Sequence, residues 1–341
     1  MPASPSGTVG GMAKAHGGET RENGLVKLTS LDQSLFDGAD ATKRDLIDYL
    51  EAVTDPLLRE LAGRPLSVMR VRPGQQPFMQ KNLPDYAPDF VASTTVWSES
   101  GHRDIRYPLC ENRATLLWFG NQRAVEFHPT LMVPEPGERT DVLAGRVTHL
   151  VIDLDPPEGS GFEVVVASAR LVEQALAELS LTSAVKTSGS KGMHIVIPVT
   201  GIDLPDAAAA TRALAARAER FGPDIATTAY VKADRGGKVF LDSTRAGGGS
   251  LASAFSPRIR PGVTVSYPVQ WADLEQIAPA DFTIKTVPPM IDSDPWADLL
   301  PEPQSVPAEL IAEGHSIPVA RVVAMHEGKR RKRAADKAAD S

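Results

Sequence analysis

Cysteine is almost absent: Cys110 stands alone among 341 residues. No intrachain disulfide and no cysteine-based zinc centre can form, so the thiol is expected as a buried structural residue in a cytoplasmic protein. Long apolar runs are missing too. A membrane-spanning helix needs roughly 20 consecutive apolar residues, and no stretch approaches that, which excludes a membrane protein of that kind. The N-terminus lacks the apolar core of a secretory signal; rich in Gly, Ser and small polar residues, positions 1–24 read as a disordered leader. A basic excess is also lacking, with 36 Lys and Arg against 43 Asp and Glu, a net charge of −7. That argues against a surface coated in nucleic acid but not against a local positive field, since binding follows the field rather than the sum. Neither an internal repeat nor a sustained heptad is present.

Hydrophobic residues make up 42% of the chain, enough for a substantial core. Positive charge gathers locally in Arg64, Arg70, Arg72 and Lys81 and again in Arg103, Arg106, Arg113 and Arg123. The tail Lys329-Arg330-Arg331-Lys332-Arg333 reads as a solvated end. Helical spacing of Leu46, Ile47, Leu50 and Val53 predicts one helix over 41–61, with Thr42 placed to cap it. Short extended runs follow at Leu66–Val71, Arg103–Pro108, Leu116–Phe119 and Ala124–Phe127. From residue 147 the pattern changes: strands at Thr148–Leu154, Ala184–Thr187, His194–Val199 and Lys238–Asp242 alternate with helices at Phe162–Leu179 and Ala207–Phe221. The Pro-rich segment Pro288–Pro307 reads as a wrap or linker. The class is mixed α/β (α+β), with two packed sheets, mixed or antiparallel, meeting near residue 150 and flanked by helices.

The sharpest chemical feature is Asp153-Leu154-Asp155-Pro156. Side chains two apart on a strand share a face, so Asp153 and Asp155 project together. Their mutual repulsion and lost hydration are relieved by a hard cation such as Mg²⁺ or Mn²⁺, which favours carboxylate oxygens. Pro156 cannot donate to a ladder, which sets the pair at the strand's end. An isolated Asp-x-Asp is usually a pair of solvated turn residues; the apolar run His149-Leu150-Val151-Ile152 instead implies a buried strand delivering charge to its tip. Asp242 ends a second such strand, ahead of Gly247-Gly248-Gly249, where a mere strand-end cap is the plainer reading. Three carboxylates would suit two metal ions about 3.5–4 Å apart, the arrangement used for in-line phosphoryl displacement.

Thr187-Ser188-Gly189-Ser190-Lys191-Gly192-Met193-His194 lies between two expected strands. Glycines let backbone N–H groups converge on an anion, serines add donors, and Lys191 adds charge. This is not a P-loop, which needs Gly-Lys-Ser/Thr entering a helix, and by itself it equally fits a flexible hairpin with an exposed lysine. Beside the carboxylate strand it describes a site for a nucleoside triphosphate.

In this order the Asp-Leu-Asp-Pro, Ser-Gly-Ser-Lys-Gly-Met-His and Lys-Val-Phe-Leu-Asp stretches resemble the motifs of the archaeo-eukaryotic primase superfamily, and within it the polymerase domain of bacterial DNA ligase D, an end-joining enzyme. The resemblance runs from about Val26 to Asp281 and includes Phe78-Met79-Gln80-Lys81, Val125-Glu126-Phe127-His128-Pro129 and Gln270-Trp271-Ala272-Asp273-Leu274. It implies a primase-polymerase catalytic fold over 25–300 (an N-terminal subregion 25–146 and a core 147–285) with a C-terminal extension 301–341. It also implies a template-dependent nucleotidyltransferase with a two-metal mechanism on Asp153, Asp155 and Asp242. Ser188, Lys191, His194, His128, Arg235, Arg245 and Arg258 would contact the nucleotide; Lys43, Arg70, Phe78 and Lys81 would contact nucleic acid. The implied partners are NTP or dNTP, DNA with gaps or breaks, and repair proteins. A ribonucleotide preference, Mn²⁺ or Mg²⁺ as cofactor, repair by end joining or base excision, and a monomer near the nucleoid complete the expectation. No Lys-x-Asp-Gly ligase motif occurs, so a stand-alone polymerase is expected.

Two departures stand out. Where the family has Trp-Ser-Gln-Asn after the third aspartate, this chain has Ser243-Thr244-Arg245-Ala246, so a cation replaces a neutral amide. Where the family's downstream 5′-phosphate pocket uses Asn and two lysines, Ser30, Gln33 and Lys43 stand here, which should weaken that contact. Two other readings stay open on the motifs alone: a sugar-nucleotide glycosyltransferase, which also uses Asp-x-Asp with Mn²⁺, and a non-catalytic nucleic-acid scaffold.

Overall fold

A computed structural model describes residues 21–23, 25–98, 102–134, 145–246 and 248–319. The basic tail at 329–333, most of the expected leader and Gly247 lie outside them. Residues 21–23, expected within the leader, instead form strand β1 (Arg21–Asn23), paired antiparallel with β2 (Val26–Leu28). The pairing is anchored by Val26 and Leu28, which are buried.

Helix α1 (Lys43–Ala52) starts as expected at Thr42. The Thr42 Oγ1 accepts from the Asp45 N–H at 3.2 Å, and the Thr42 N–H donates back to Asp45 at 2.6 Å, a capping box. The single helix expected over 41–61 is, however, broken at Val53, and α2 (Thr54–Leu61) follows. Pro56 explains the break: in a continuous helix its ring would collide with the carbonyl of Ala52 and leave that carbonyl without a donor.

Strand β3 (Leu66–Arg72) is the centre of a three-stranded antiparallel sheet, with β4 (Gln75–Gln80) on one side. A separate ribbon pairs β5 (Ser93–Ser98) with β6 (Arg103–Pro108). The run Leu116–Phe119, read as extended, is helical: it lies inside α3 (Arg113–Asn121), capped by the Asn112 side chain accepting from the Thr115 N–H at 2.9 Å. Four consecutive apolar residues carry no period, and here all four are buried because the helix packs between α1 and its surroundings. At Gly120 a Cβ would lie 2.7 Å from Leu50 and 2.9 Å from Ile47, so only glycine permits this approach to α1. Strand β7 (Ala124–Pro129) completes the three-stranded sheet in the order β4-β3-β7, and β8 (Met132–Val133) pairs with β9 (Arg146–Val147).

The second sheet begins at β10 (His149–Asp155). After α4 (Glu163–Glu178) come β11 (Ala184–Thr187) and β12 (Met193–Pro198), then α5 (Leu204–Phe221), β13 (Ala226–Thr227), β14 (Val239–Asp242) and β15 (Pro268–Val269). Its strand order is β13-β14-β10-β12-β11-β15, antiparallel throughout except for the β13/β14 pair. Its β10 strand contacts both α4 and α5, which pack on each other. Residues 249–256 tie the two sheets together: Leu251 and Ser253 donate to Pro129 and Phe127 of β7, while Phe255 donates to Ser266 beside β15. One hydrophobic cluster accordingly runs from Val26 to Leu310.

The Pro-rich wrap contains α6 (Pro295–Leu299), and Gln304 joins the sheet margin through Pro198 and Thr200. Helix α7 (Ala308–Ser316) lies on α5, with Glu313 paired to Arg217 at 2.7 Å and to Arg220 at 3.2 Å. Cys110 is free and buried, as expected. No helix among the described residues is long and apolar enough to cross a membrane.

A Cβ at Gly314 would sit 1.8 Å from the Ala209 carbonyl oxygen. Gly314→Val is therefore expected to push α7 off α5 and cost about 1–3 kcal/mol, seen as a lower urea midpoint and new protease cleavage ahead of α7.

Candidate active site

Register decides the site. Asp153 on β10 lies directly opposite Asp242 on β14 and directly opposite His194 on β12; His194 in turn faces Lys186 on β11. Directly opposed residues share a face, so one row across four strands reads Asp242, Asp153, His194, Lys186. Asp155, two positions on from Asp153, adds to the same face. The three carboxylates can bring one oxygen each within 4.8 Å of one another.

Asp153 and Asp242 are buried, while Asp155 is exposed at the strand end. Burial, with repulsion from Asp155 and Asp242, pushes the Asp153 carboxyl up to about 7 against the pull of Arg245 and Lys186. Burial and Asp242 raise Asp155 as well. A hard divalent cation removes this strain, and an all-oxygen donor set suits Mg²⁺ or Mn²⁺. The residues present fit such an ion. Asp242 is oriented by Thr244, whose hydroxyl and N–H donate to Oδ1 at 2.6 and 2.8 Å.

Lys186 went unnoticed in the sequence, where it is one residue inside an apolar strand. Its fully buried ammonium donates to His194 Nδ1 at 2.6 Å, Ala252 O at 2.7 Å and Ser266 Oγ at 2.7 Å. Burial draws its pKa down to about 7. Burial and then Lys186 lower His194, which stays neutral. With Nδ1 accepting, the network assigns the His194 proton to Nε2, 3.5 Å from Asp153 Oδ1.

The turn between β11 and β12 is tightly specified. The Ser188 Oγ accepts from the N–H groups of Ser190 at 3.2 Å and Gly192 at 3.1 Å. Gly189 has a φ of +67°, and a Cβ there would lie 2.7 Å from the Ser266 nitrogen. At Gly192 a Cβ would come within 2.0 Å of the Leu154 carbonyl oxygen, so glycine brings the turn against β10. Lys191 is exposed at the tip and makes no hydrogen bond or ion pair with the described residues.

Arg258 reaches this turn by donating to the Ser188 carbonyl, and its Nε lies 3.2 Å from Glu126. Glu126 is a second residue that sequence reasoning missed. It is buried on β7, pairs with His128 at 2.8 Å and accepts the Ile259 N–H at 2.9 Å. Burial opposes its charge, but the His128 bond, Arg258 and that N–H outweigh it and hold the pKa down to about 2. The Glu126–His128 spacing of two on a strand was the available signal. Arg235 stacks on Phe240 at 3.8 Å, and Phe240 lies opposite Asp155 in the sheet.

The expected nucleic-acid contacts sit elsewhere. Arg70 is buried and held by Gln122 and Gln80, with its guanidinium 5.6 Å from the Phe78 ring. Phe78 is half-buried on β4 and Lys81 is exposed just beyond it. Lys43 is buried, donating to Thr29 O and Asn121 Oδ1 at 2.6 Å each. Gln33 accepts from Arg123 at 2.8 Å beside a groove of about 800 Å³ lined also by Phe36, Arg72 and Gln75.

The family pattern of the LigD primase-polymerase domain matches residues 42–296. The chain belongs to this family. It is 33% identical over 294 residues to the bifunctional non-homologous end joining protein LigD of Bacillus subtilis (strain 168), covering 84% of this chain and 46% of that protein. It is 34% identical over 259 residues to the multifunctional non-homologous end joining DNA repair protein LigD of Mycobacterium tuberculosis (strain ATCC 25618 / H37Rv), covering 74% and 34%. The solved polymerase domain from Mycobacterium tuberculosis ligase D in complex with DNA matches with a TM-score of 0.73 at 33% identity, covering 80% of this chain and 97% of that one. The chain thus spans less than half the length of these two curated LigD relatives. Both the α/β fold and the primase-polymerase family expected from the motifs are those observed.

Lys186→Met would leave His194 Nδ1 and the Ala252 carbonyl without their donor. A stability loss of about 1–3 kcal/mol is expected, together with a changed tautomer signature in the ring-nitrogen NMR shifts of His194.

Proposed function

We propose that this chain is a template-dependent nucleotidyltransferase that extends primer ends or fills short gaps in damaged DNA. The observation that carries the reading is the meeting of Asp153, Asp155 and Asp242 on adjacent strands beside the Ser188–His194 turn. Family membership and this turn together favour nucleotide transfer over sugar transfer or a non-catalytic scaffold.

Asp153, Asp155 and Asp242 would hold two Mg²⁺ or Mn²⁺ ions, which activate the primer 3′-hydroxyl and neutralise charge on the triphosphate. The chain's own residues do the positioning. Lys191, exposed at the turn's tip, approaches the phosphates. Arg258 stabilises the turn by its bond to the Ser188 carbonyl, and Glu126, itself paired with His128, fixes Arg258. His194, neutral and oriented by Lys186, offers an Nε2–H donor beside Asp153. Arg235 adds positive charge on the Asp155 side. Phe78 on β4 and Lys81 just beyond it offer a stacking surface and a cation to a template strand. A ribonucleotide preference, use of Mn²⁺, action in end joining or base excision repair, a monomeric state and a nucleoid location follow from the resemblance.

Recognition of a downstream 5′-phosphate is expected to be weak. Hydrogen bonds to charged groups are worth about 1.5–3 kcal/mol each. At the corresponding place Lys43 spends its donors inside the protein and Gln33 is bound to Arg123.

Asp155→Ala is expected to reduce primer extension to background with the melting temperature preserved; full extension by this variant would overturn the metal assignment. On gapped templates the wild-type protein is expected to extend at similar rates with and without a downstream 5′-phosphate, measured with ribo- and deoxyribonucleotides in parallel.

A further inference from the structure

Arg245 sets a cation directly against the acidic cluster. It lies on the short turn Thr244–Ala246 directly after β14, three residues beyond Asp242. Its side chain folds back over the acidic cluster, with Nη2 3.3 Å from Asp153 Oδ2 and Nε 3.5 Å from Asp242 Oδ2.

The choice of oxygens matters. Asp242 Oδ1 already accepts two bonds from Thr244, and Asp153 Oδ1 faces His194. On these two aspartates the Oδ2 atoms are the oxygens that Thr244 and His194 leave open to a metal ion, and these are the ones the guanidinium covers. Its hold is nonetheless loose. The Nε is buried yet makes no hydrogen bond with the described residues, and the side chain is 39% exposed, so it has a way out toward solvent. Its backbone is fixed instead: Gly249 N–H donates to the Arg245 carbonyl at 2.8 Å, and a Cβ at Gly249 would sit 3.0 Å from that oxygen. A fixed backbone with a releasable cationic side chain suits a movable counter-ion.

We propose that Arg245 is a built-in counter-ion that occupies the cation site of Asp153 and Asp242 until metal and nucleotide arrive together, and then transfers to the nucleotide's phosphates. This deepens the function proposed above and rests on it. A metal ion arriving alone must displace the guanidinium and leave two cations facing each other with no new anion between them. Arriving with a triphosphate, it brings the anion that the displaced guanidinium requires. Metal and nucleotide are thereby positively coupled, each raising the other's affinity by the same factor. A neutral amide at this position has no charge to displace and lacks this coupling.

The test is calorimetric titration of Mn²⁺ into the full chain, with and without a nucleoside triphosphate whose α,β-bridging oxygen is methylene. Wild type is compared with Arg245→Gln and Arg245→Lys. The glutamine variant is expected to bind Mn²⁺ alone about tenfold tighter than wild type, and the analogue should tighten its Mn²⁺ binding by a smaller factor. The lysine variant should stay close to wild type. Equal Mn²⁺ affinity in wild type and the glutamine variant, with an equal analogue effect, overturns the counter-ion role while leaving the metal site intact. If neither protein binds Mn²⁺ even with the analogue, the metal-dependent function itself fails, and the counter-ion role with it.

Discussion

Three carboxylates crowded on one face of a sheet, two of them buried, are the constraint around which this protein is arranged. Such a cluster is unfavourable on its own, because burial penalises each charge and each penalises its neighbours. The fold tolerates it through specific compensation: Thr244 satisfies one oxygen of Asp242, Arg245 lies over two others, and the Asp153 carboxyl rises to about 7. The site is poised for cations because its ground state is strained without them.

The strain is held by β-sheet pairing rather than by loops. Asp153 cannot move away from Asp242 without breaking the β10/β14 ladder, and His194 cannot turn without losing Lys186. Beside this rigid row the Ser188 turn is fastened from the other sheet. Glu126 on β7 grips Arg258, and Arg258 grips the Ser188 turn, so the joint between the sheets also positions that turn beside the acidic row. The segment 249–256, bonded to β7 on one side and near β15 on the other, makes that joint part of the common core.

The N-terminal region shows the same economy put to a different use. Several of its cations serve the fold. Arg70 is clamped by two glutamines, Arg123 binds the backbone of Ser34 and Leu35, and Lys43 is anchored by Thr29 and Asn121. Positive charge visible in the sequence is thus partly withdrawn from the surface. Other cations of the region, among them Arg72, Lys81, Arg103 and Arg106, stay exposed.

Local rules sufficed for several features. Alternation along a strand put Asp153 and Asp155 on one face, glycines marked the Ser188–Gly192 turn, and Thr42 marked the start of α1, since each depends on neighbours in the chain. Other features needed partners distant in sequence. The run at Leu116–Phe119 became helical through packing, because four apolar residues carry no period of their own. Lys186 and Glu126 gained their importance from the residues that register and packing set against them. Lys43 and Arg70 looked free on paper, yet a charged side chain's role depends on which acceptors the fold brings within reach. The sequence alone therefore determined which residues have the chemistry and which share a face along one strand. Only the tertiary structure decided which strands lie side by side, because register comes from the summed pairing of the sheet and no single residue encodes it.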